Sequence, residues 1–237
     1  MKQQCISLPT SALYEAAEPY MDVMCGFSRR TKQVEKSRRA AMKVRAALFD
    51  HTETPCLVAP IGKECIGREH FAVEGGQIAC TVLGQLKQQG IYGGYAFMLH
   101  APVPDLSALP IAERYLADCW QTCLVDAGCD VLRQLLLEQA ETTLHKKLYI
   151  TNALAPGMYG IKAENVKDFF TMMDGSQIGI RLLESGMMDP VKSFVGFFVL
   201  LDRQVVIAET DCAQCMSGHK HCAYCKNYAA SLLKQKK

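Results

Sequence analysis

No apolar run in this 237-residue chain is long enough to cross a bilayer: the longest, "VGFFVLL" at residues 195–201, falls far below the roughly 20 residues a helical span requires. The first 20 residues, "MKQQCISLPTSALYEAAEPY", lack the continuous apolar core of a signal peptide. A cytoplasmic protein is expected. The chain shows no repeat of fixed period and no low-complexity linker, which excludes solenoids and arrays. Strands and helices do not alternate regularly, which argues against a doubly wound fold. Net charge is only +2, so no single-signed field marks the whole chain as a nucleic-acid or membrane binder.

What is present is the balance of a globular protein, 49% hydrophobic and 21% charged. The charge is unevenly placed. Residues 28–50 hold eight Lys/Arg against two acids and residues 226–237 add four lysines, together +10, which leaves −8 on the remainder. Within "SRRTKQVEKSRRAAMKVRAALFD" the apolar residues Val34, Ala41 and Leu48 recur at seven-residue steps, the mark of an amphipathic helix packed on a domain. Its basic residues read as a solvated face, and with no nucleic-acid motif beside them no DNA or RNA partner is expected.

Along the chain, residues 11–25 and 28–49 predict helices. "PCLVAPIGKECIG" and "HFAV" predict strands, residues 77–88 a helix, "GGYAFMLHA" a strand and "PVPDLSALP" a loop. From Ile111 the residues Leu116, Cys119, Trp120, Cys123 and Ala127 keep helical spacing. "DAGCD" offers a stop and Asp130 a new N-cap, so two helices in series or one kinked helix is expected. "LYITNAL" then predicts a strand, "APGMYG" a turn, "AENVKDFFTMMD" a helix, and "SFVGFFVLLD" with "QVVIAE" a hairpin. The sum is an α+β fold, a mixed or antiparallel sheet flanked by helices. Three regions are expected: an N-terminal helical and short-strand region over 1–75, a core over 76–210 and a cysteine-rich appendage over 211–237.

Eight of the 12 cysteines stand singly among apolar neighbours, where a free thiol behaves as a small hydrophobe. The other four form two knuckles, Cys212-x2-Cys215 and Cys222-x2-Cys225, six residues apart in "DCAQCMSGHKHCAYC". A two-residue gap lets two thiolates converge on one centre while backbone N–H groups face the sulfurs, and two such turns supply four ligands. In a reducing compartment this pattern favours a metal over disulfides. The knuckles are closer than in zinc ribbons, and the ferredoxin run of three close cysteines is missing. His219 and His221 lie in the loop, either as stand-ins for a cysteine or as outer, solvated side chains. A zinc clip that pins the tail and an iron–sulfur cluster that carries electrons both remain open on spacing alone.

In "IGIRLLESGMMDPVKSFVGFFVLL" the polar residues Glu184, Ser185, Lys192 and Ser193 flank one turn between apolar runs. Each must be solvated or paired. On pattern alone a decorated strand and a ligand site are equally good readings.

This segment, with "NALAPGMYG" and "VKDFFTMMD" before it, resembles the activation (reactivation) domain of vitamin B12-dependent methionine synthase, and more closely the stand-alone relatives of that domain in anaerobic bacteria. The resemblance is specific over residues 150–200 and looser from about residue 80, where "AFMLHAPVPDL" and "CLVDAGCDVLRQLL" are similar to the family's central strand and long helices. It implies an activation-domain-like core that packs over a cobalamin-binding partner, a corrinoid protein or methyltransferase, so that inactive cob(II)alamin is reduced and remethylated with S-adenosylmethionine as methyl donor. Cys212, Cys215, Cys222 and Cys225 would then hold an iron–sulfur cluster, with structural zinc in a scaffold module as the alternative. The implied ligand or partner face comprises Pro156, Gly157 and Tyr159 of the first turn and Glu184, Ser185, Met188, Pro190, Lys192 and Ser193 of the second. One departure stands out. Ala153 occupies the place of the family arginine that opens its Arg-Pro-Ala-x-Gly-Tyr turn, and Tyr159 comes one residue later than the family tyrosine. No cobalamin-binding Asp-x-His-x-x-Gly motif is present, so cobalamin is expected on a partner.

Overall fold

The computed structural model describes residues 2–27, 31–73, 76–86 and 88–205. In chain order the elements are β1 (Gln4–Pro9), α1 (Thr10–Met24), α2 (Lys32–Leu48), β2 (Glu53–Ile61), β3 (His70–Val73), β4 (Gly76–Ala79), β5 (Ile91–His100), α3 (Ile111–Leu144), β6 (Tyr149–Ile150), α4 (Val166–Met172), β7 (Arg181–Leu182), β8 (Met188–Asp189) and β9 (Ser193–Leu201). One five-stranded sheet runs in the order β1-β2-β5-β9-β6, and two small hairpins, β3-β4 and β7-β8, stand apart. Every pairing of β5 and β9 is antiparallel. The fold is therefore α+β, as the sequence predicts. No helix among the described residues is long and apolar enough to cross a membrane.

The chain forms two compact units; of the described residues, 2–6, 55–100 and 129–205 belong to the first and 7–54 and 101–128 to the second. The first unit is built around β9, whose seven residues from Val195 to Leu201 are all buried. Side chains alternate across a strand. Val195, Phe197, Val199 and Leu201 accordingly enter the main core with Leu57, Ala59, Ala96, Met98 and Phe71. On the other side Phe198 stacks on Phe97, ring centroids 4.5 Å apart, and Leu200 packs with Ala140 and Leu148. A strand buried on both faces reads as a continuous apolar run rather than an alternating one.

The second unit is helical. Thr10, Leu13, Ala17 and Met21 give α1 a buried stripe, and Ala41 and Val44 do the same for α2. Trp120 on α3 is fully buried and donates Nε1–H to the Ala41 carbonyl at 2.8 Å. Tyr14 meets the Trp120 ring edge-on, centroids 6.1 Å apart, and donates its hydroxyl to Asp50 at 2.6 Å. The Arg45 guanidinium lies 4.1 Å from the centroid of the Tyr14 ring.

Three expectations need correction. Residues 77–88 form no α-helix: β4 pairs with β3, putting Ile78 opposite Phe71, and only a 3₁₀ segment, Thr81–Gln85, follows. Pairing with β3 buries both apolar side chains completely, and that burial decides for the strand. Of the two alternatives at "DAGCD", two helices in series is excluded, since α3 is one helix of 34 residues. A glycine in a helix interior costs only about 1 kcal/mol relative to alanine, and Leu124, Ala127, Cys129 and Leu132 bury an apolar face straight through Gly128. "LYITNAL" keeps just two strand residues, because the Val199 N–H goes to the Thr151 hydroxyl at 3.0 Å rather than to a backbone carbonyl. β1, on the outer edge of the sheet, lies in a stretch the sequence pattern leaves unassigned. Of the strand expected over "QVVIAE", residues 206–209 lie outside the described residues.

The Tyr14 hydroxyl titrates well above its ordinary value of 10.0, first because burial disfavours the phenolate and then because Asp50 accepts its hydrogen bond. A pKa raised in the folded state contributes stability that is intact below the unfolded pKa, about 10, and is lost as pH climbs toward the folded one. The stability difference between wild type and Tyr14→Phe, measured by urea denaturation, is therefore expected to be constant from pH 7 to 9.5 and to shrink above pH 10.

Candidate functional site

Both turns singled out in the sequence belong to the first unit. The first is anchored by Leu154, which exchanges two backbone hydrogen bonds of 2.9 Å with Phe197 of β9. From there the backbone closes on itself: Met158 N–H reaches the Ala155 carbonyl, Ile161 N–H the Met158 carbonyl and Gly157 N–H the Ile161 carbonyl, each at 2.9 Å. Gly157, Tyr159 and Gly160 all have positive φ, at 83°, 56° and 78°. Glycine adopts such φ freely and tyrosine does not. Tyr159 is held there by burial, its ring in the main core at 5% exposure, so it covers the core and presents no free aromatic face. Gly157 and Met158 are exposed and Pro156 half-buried. Ala153 is buried at 7% exposure, with no side chain to reach a ligand.

The second turn is the β7-β8 hairpin and its exit. Leu183 N–H bonds the Met187 carbonyl at 2.8 Å, Gly186 N–H bonds the Leu183 carbonyl at 2.9 Å, and Gly186 has φ 81°. The Ser185 hydroxyl accepts from Met187 N–H at 3.4 Å. Arg181 clamps the base of the hairpin, its Nε and second guanidinium nitrogen 2.7 and 2.6 Å from one Asp189 oxygen. Arg181 is thus committed to Asp189 and not to Glu184. The Asp189–Pro190 peptide is cis, and the Pro190 carbonyl accepts from the Ser193 hydroxyl at 2.5 Å. Glu184 and Ser185 are exposed at the tip, while Met188, Pro190, Lys192 and Ser193 are half-buried.

Of the nine residues proposed for these turns, Tyr159 and Met188 meet in the same core cluster, and Pro190 and Ser193 bond each other. The remaining five decorate the two turns. The exposed surface there is apolar: Leu183, Met187 and Val191 are 40%, 53% and 66% exposed, and Met158 on the first turn 37%. Sequence reading dwelt on the polar residues and missed these four, although their β-turn neighbours Gly157 and Gly186 mark them as loop tips. It also missed an open cavity of about 410 Å³ lined by Gln3, residues 170–176 and residues 180–182. Gln3 fixes its wall by accepting from Asp174 N–H at 3.0 Å, a pairing across 171 residues that no local pattern announces. Cys212, Cys215, Cys222 and Cys225 lie outside the described residues. Among the described residues no group of three or more His, Cys, Asp or Glu is placed to hold a metal ion.

Backbone hydrogen bonds close both turns, and their exposed tips carry apolar side chains and the Glu184 carboxylate. No protein-family model matches the chain, and no curated protein matches it either. A solved structure does: the crystal structure of the MetH reactivation domain bound to AdoHcy superposes with a TM-score of 0.58 over 99% of this chain and 90% of that one, at 12% identity. This chain has the fold of that reactivation domain.

The glycines of the first turn provide a test of its geometry. A Cβ on Gly157 meets nothing within 4 Å, but one on Gly160 comes within 2.8 Å of Thr81 Oγ1. Gly157→Ala is expected to cost about 1 kcal/mol, from positive φ alone. Gly160→Ala is expected to cost measurably more, because the short, branched Thr81 side chain has little room to turn away. Urea denaturation of the two variants gives the comparison, and equal losses contradict the close approach.

Proposed function

We propose that this protein is an accessory factor of corrinoid (vitamin B12)-dependent methyl transfer, and that it serves the reductive reactivation of a cobalamin protein. The observation that carries the reading is the exposed apolar face of the two turns, on a fold shared with the MetH reactivation domain. Exposed apolar side chains gathered on turns favour a surface that another molecule covers. Met158, Leu183, Met187 and Val191 would form its apolar centre, with Glu184, Ser185 and Lys192 around them, against a corrinoid protein or methyltransferase. The chain need not be an enzyme by itself.

Reactivation consumes one electron to take cob(II)alamin to cob(I)alamin, and methyl transfer from S-adenosylmethionine then traps the product. The neighbour's AdoHcy is what such a donor leaves behind. In this chain Cys212, Cys215, Cys222 and Cys225 would hold an iron–sulfur cluster in the tail of 211–237, beside the core of 76–210 and the N-terminal region of 1–75. Four thiolates suit such a cluster, whose potential reaches the low values this reduction requires. Without a guanidinium at position 153 the methionine carboxylate lacks a bidentate partner, so S-adenosylmethionine is expected to bind weakly. A zinc-folded scaffold module is the competing reading, resting on the same four cysteines.

Anaerobic purification distinguishes the two. The expected protein is brown and contains iron and acid-labile sulfide; a colourless protein with one zinc per chain establishes the scaffold. The docking face is tested with a purified cob(II)alamin-loaded corrinoid protein. Met187→Asp combined with Val191→Asp is expected to weaken that complex by at least about tenfold, with an unchanged melting temperature because both residues are exposed. Undiminished binding removes these turns from the interface. Calorimetric titration with S-adenosylmethionine is expected to give an affinity no tighter than the millimolar range.

A further inference from the structure

The cations of α2 fall into two sets. Arg38 and Arg45 are spent inside the second unit: Arg38 pairs with Asp22 at 2.8 Å and bonds the Phe27 carbonyl, and Arg45 pairs with Glu18 at 3.3 Å while covering Tyr14. Lys36, Arg39 and Lys43 occupy a different stripe, at steps of three and four, and all are exposed. No ion pair among the described residues engages them.

These three cations border a groove of about 520 Å³, also within the second unit, whose floor is apolar: Ala40, Val44, Ala47 and Leu48 of α2, with Leu109 opposite. Glu113 is the single acid among the described residues of its lining. The far wall is fixed, because Arg114 bonds the Leu109 and Ser107 carbonyls at 2.7 Å each.

Seven residues of helix separate Lys36 from Lys43, about 10 Å of rise. That spread is too wide for one phosphate to bridge. The apolar floor has no aromatic ring on which a base could stack, and phosphate backbones do not need one that is apolar. A helix laid in an apolar groove, by contrast, brings side chains three and four residues apart against it. We infer that this groove receives an acidic amphipathic helix from a protein partner, with apolar side chains on the floor and carboxylates against Lys36, Arg39 and Lys43. The inference stands whether or not the chain serves a corrinoid protein.

The probes are three fluorescein-labelled peptides of about 18 residues, some 27 Å as helix, read by fluorescence anisotropy against the full chain. One carries a Leu/Ala stripe flanked by glutamates, one the same stripe flanked by lysines, and one the same glutamates scattered so that no stripe forms. The first is expected to bind at least about tenfold more tightly than the others and to weaken as salt is raised. Lys36→Glu, Arg39→Glu and Lys43→Glu together are expected to abolish that binding and to create affinity for the lysine peptide, with an unchanged melting temperature. Leu109→Asp is expected to weaken it without altering any cation. Equal binding of the scattered peptide, no saturation at millimolar peptide, or a self-associating chain whose dimer the triple variant dissolves each overturns the inference. Tighter binding of a single-stranded RNA oligonucleotide than of the glutamate peptide does so as well.

Discussion

The first unit depends on one constraint: β9 must be apolar on both faces and still accept backbone from both sides. β5 runs along one edge in antiparallel register from Ile91 opposite Leu201 to His100 opposite Ser193. The other edge is taken first by β6 and then by the single bridge at Leu154. That bridge requires Gly196, where a Cβ would lie 2.7 Å from the Leu154 carbonyl oxygen. The position of the first turn follows from the absence of one methyl group, since Leu154 can approach β9 only there, and the backbone closes into the turn from Ala155 onward.

The same strand explains the rigidity of the second turn. Ser193, its first residue, bonds back to Pro190, while Arg181 and Asp189 lock the hairpin immediately before it. The Arg181–Asp189 pair is too exposed to add much stability, since surface pairs of this kind contribute about 1 kcal/mol or less. Its effect is geometric: with the base of the hairpin closed, Leu183, Glu184 and Met187 are held outward. The polar groups of both turns are largely consumed by the turns themselves, so the surface left to another molecule is apolar at its centre.

Much of this architecture was legible in the sequence. Apolar periodicity located α1 and α2, and the runs around Leu57, Phe97 and Phe198 located β2, β5 and β9, because burial of one stripe or of two faces leaves a direct mark on composition. What escaped was decided by partners outside the local pattern. Residues 76–79 became a strand because Phe71 offered Ile78 a cross-strand contact. α3 ran through Gly128 because tertiary burial on both sides exceeded the local penalty. The cavity wall at Gln3 depends on Asp174 and Gln177. In the two candidate turns Tyr159 is a core residue whereas Met187 and Val191 are exposed, a division set by tertiary burial that residue type alone does not reveal.

A comparable division governs α2, where the sequence showed an apolar stripe and an excess of positive charge without sorting the cations. Charge count cannot separate a cation that holds the fold from one that waits for a partner; position on the helix can. Arg38 and Arg45, seven residues apart, share the face turned to Tyr14, Asp22 and Phe27, and there the guanidinium earns its place by combining ion pairing with stacking on aromatic rings. The stripe lining the groove holds two lysines and Arg39, which among the described residues pairs with no acid and bonds the Glu35 carbonyl of its own helix at 3.4 Å. Three like charges over an apolar floor repel one another, and the groove supplies only Glu113 to offset them. Binding of an anionic partner relieves that repulsion at the same time as it covers the floor, so the two contributions add rather than compete.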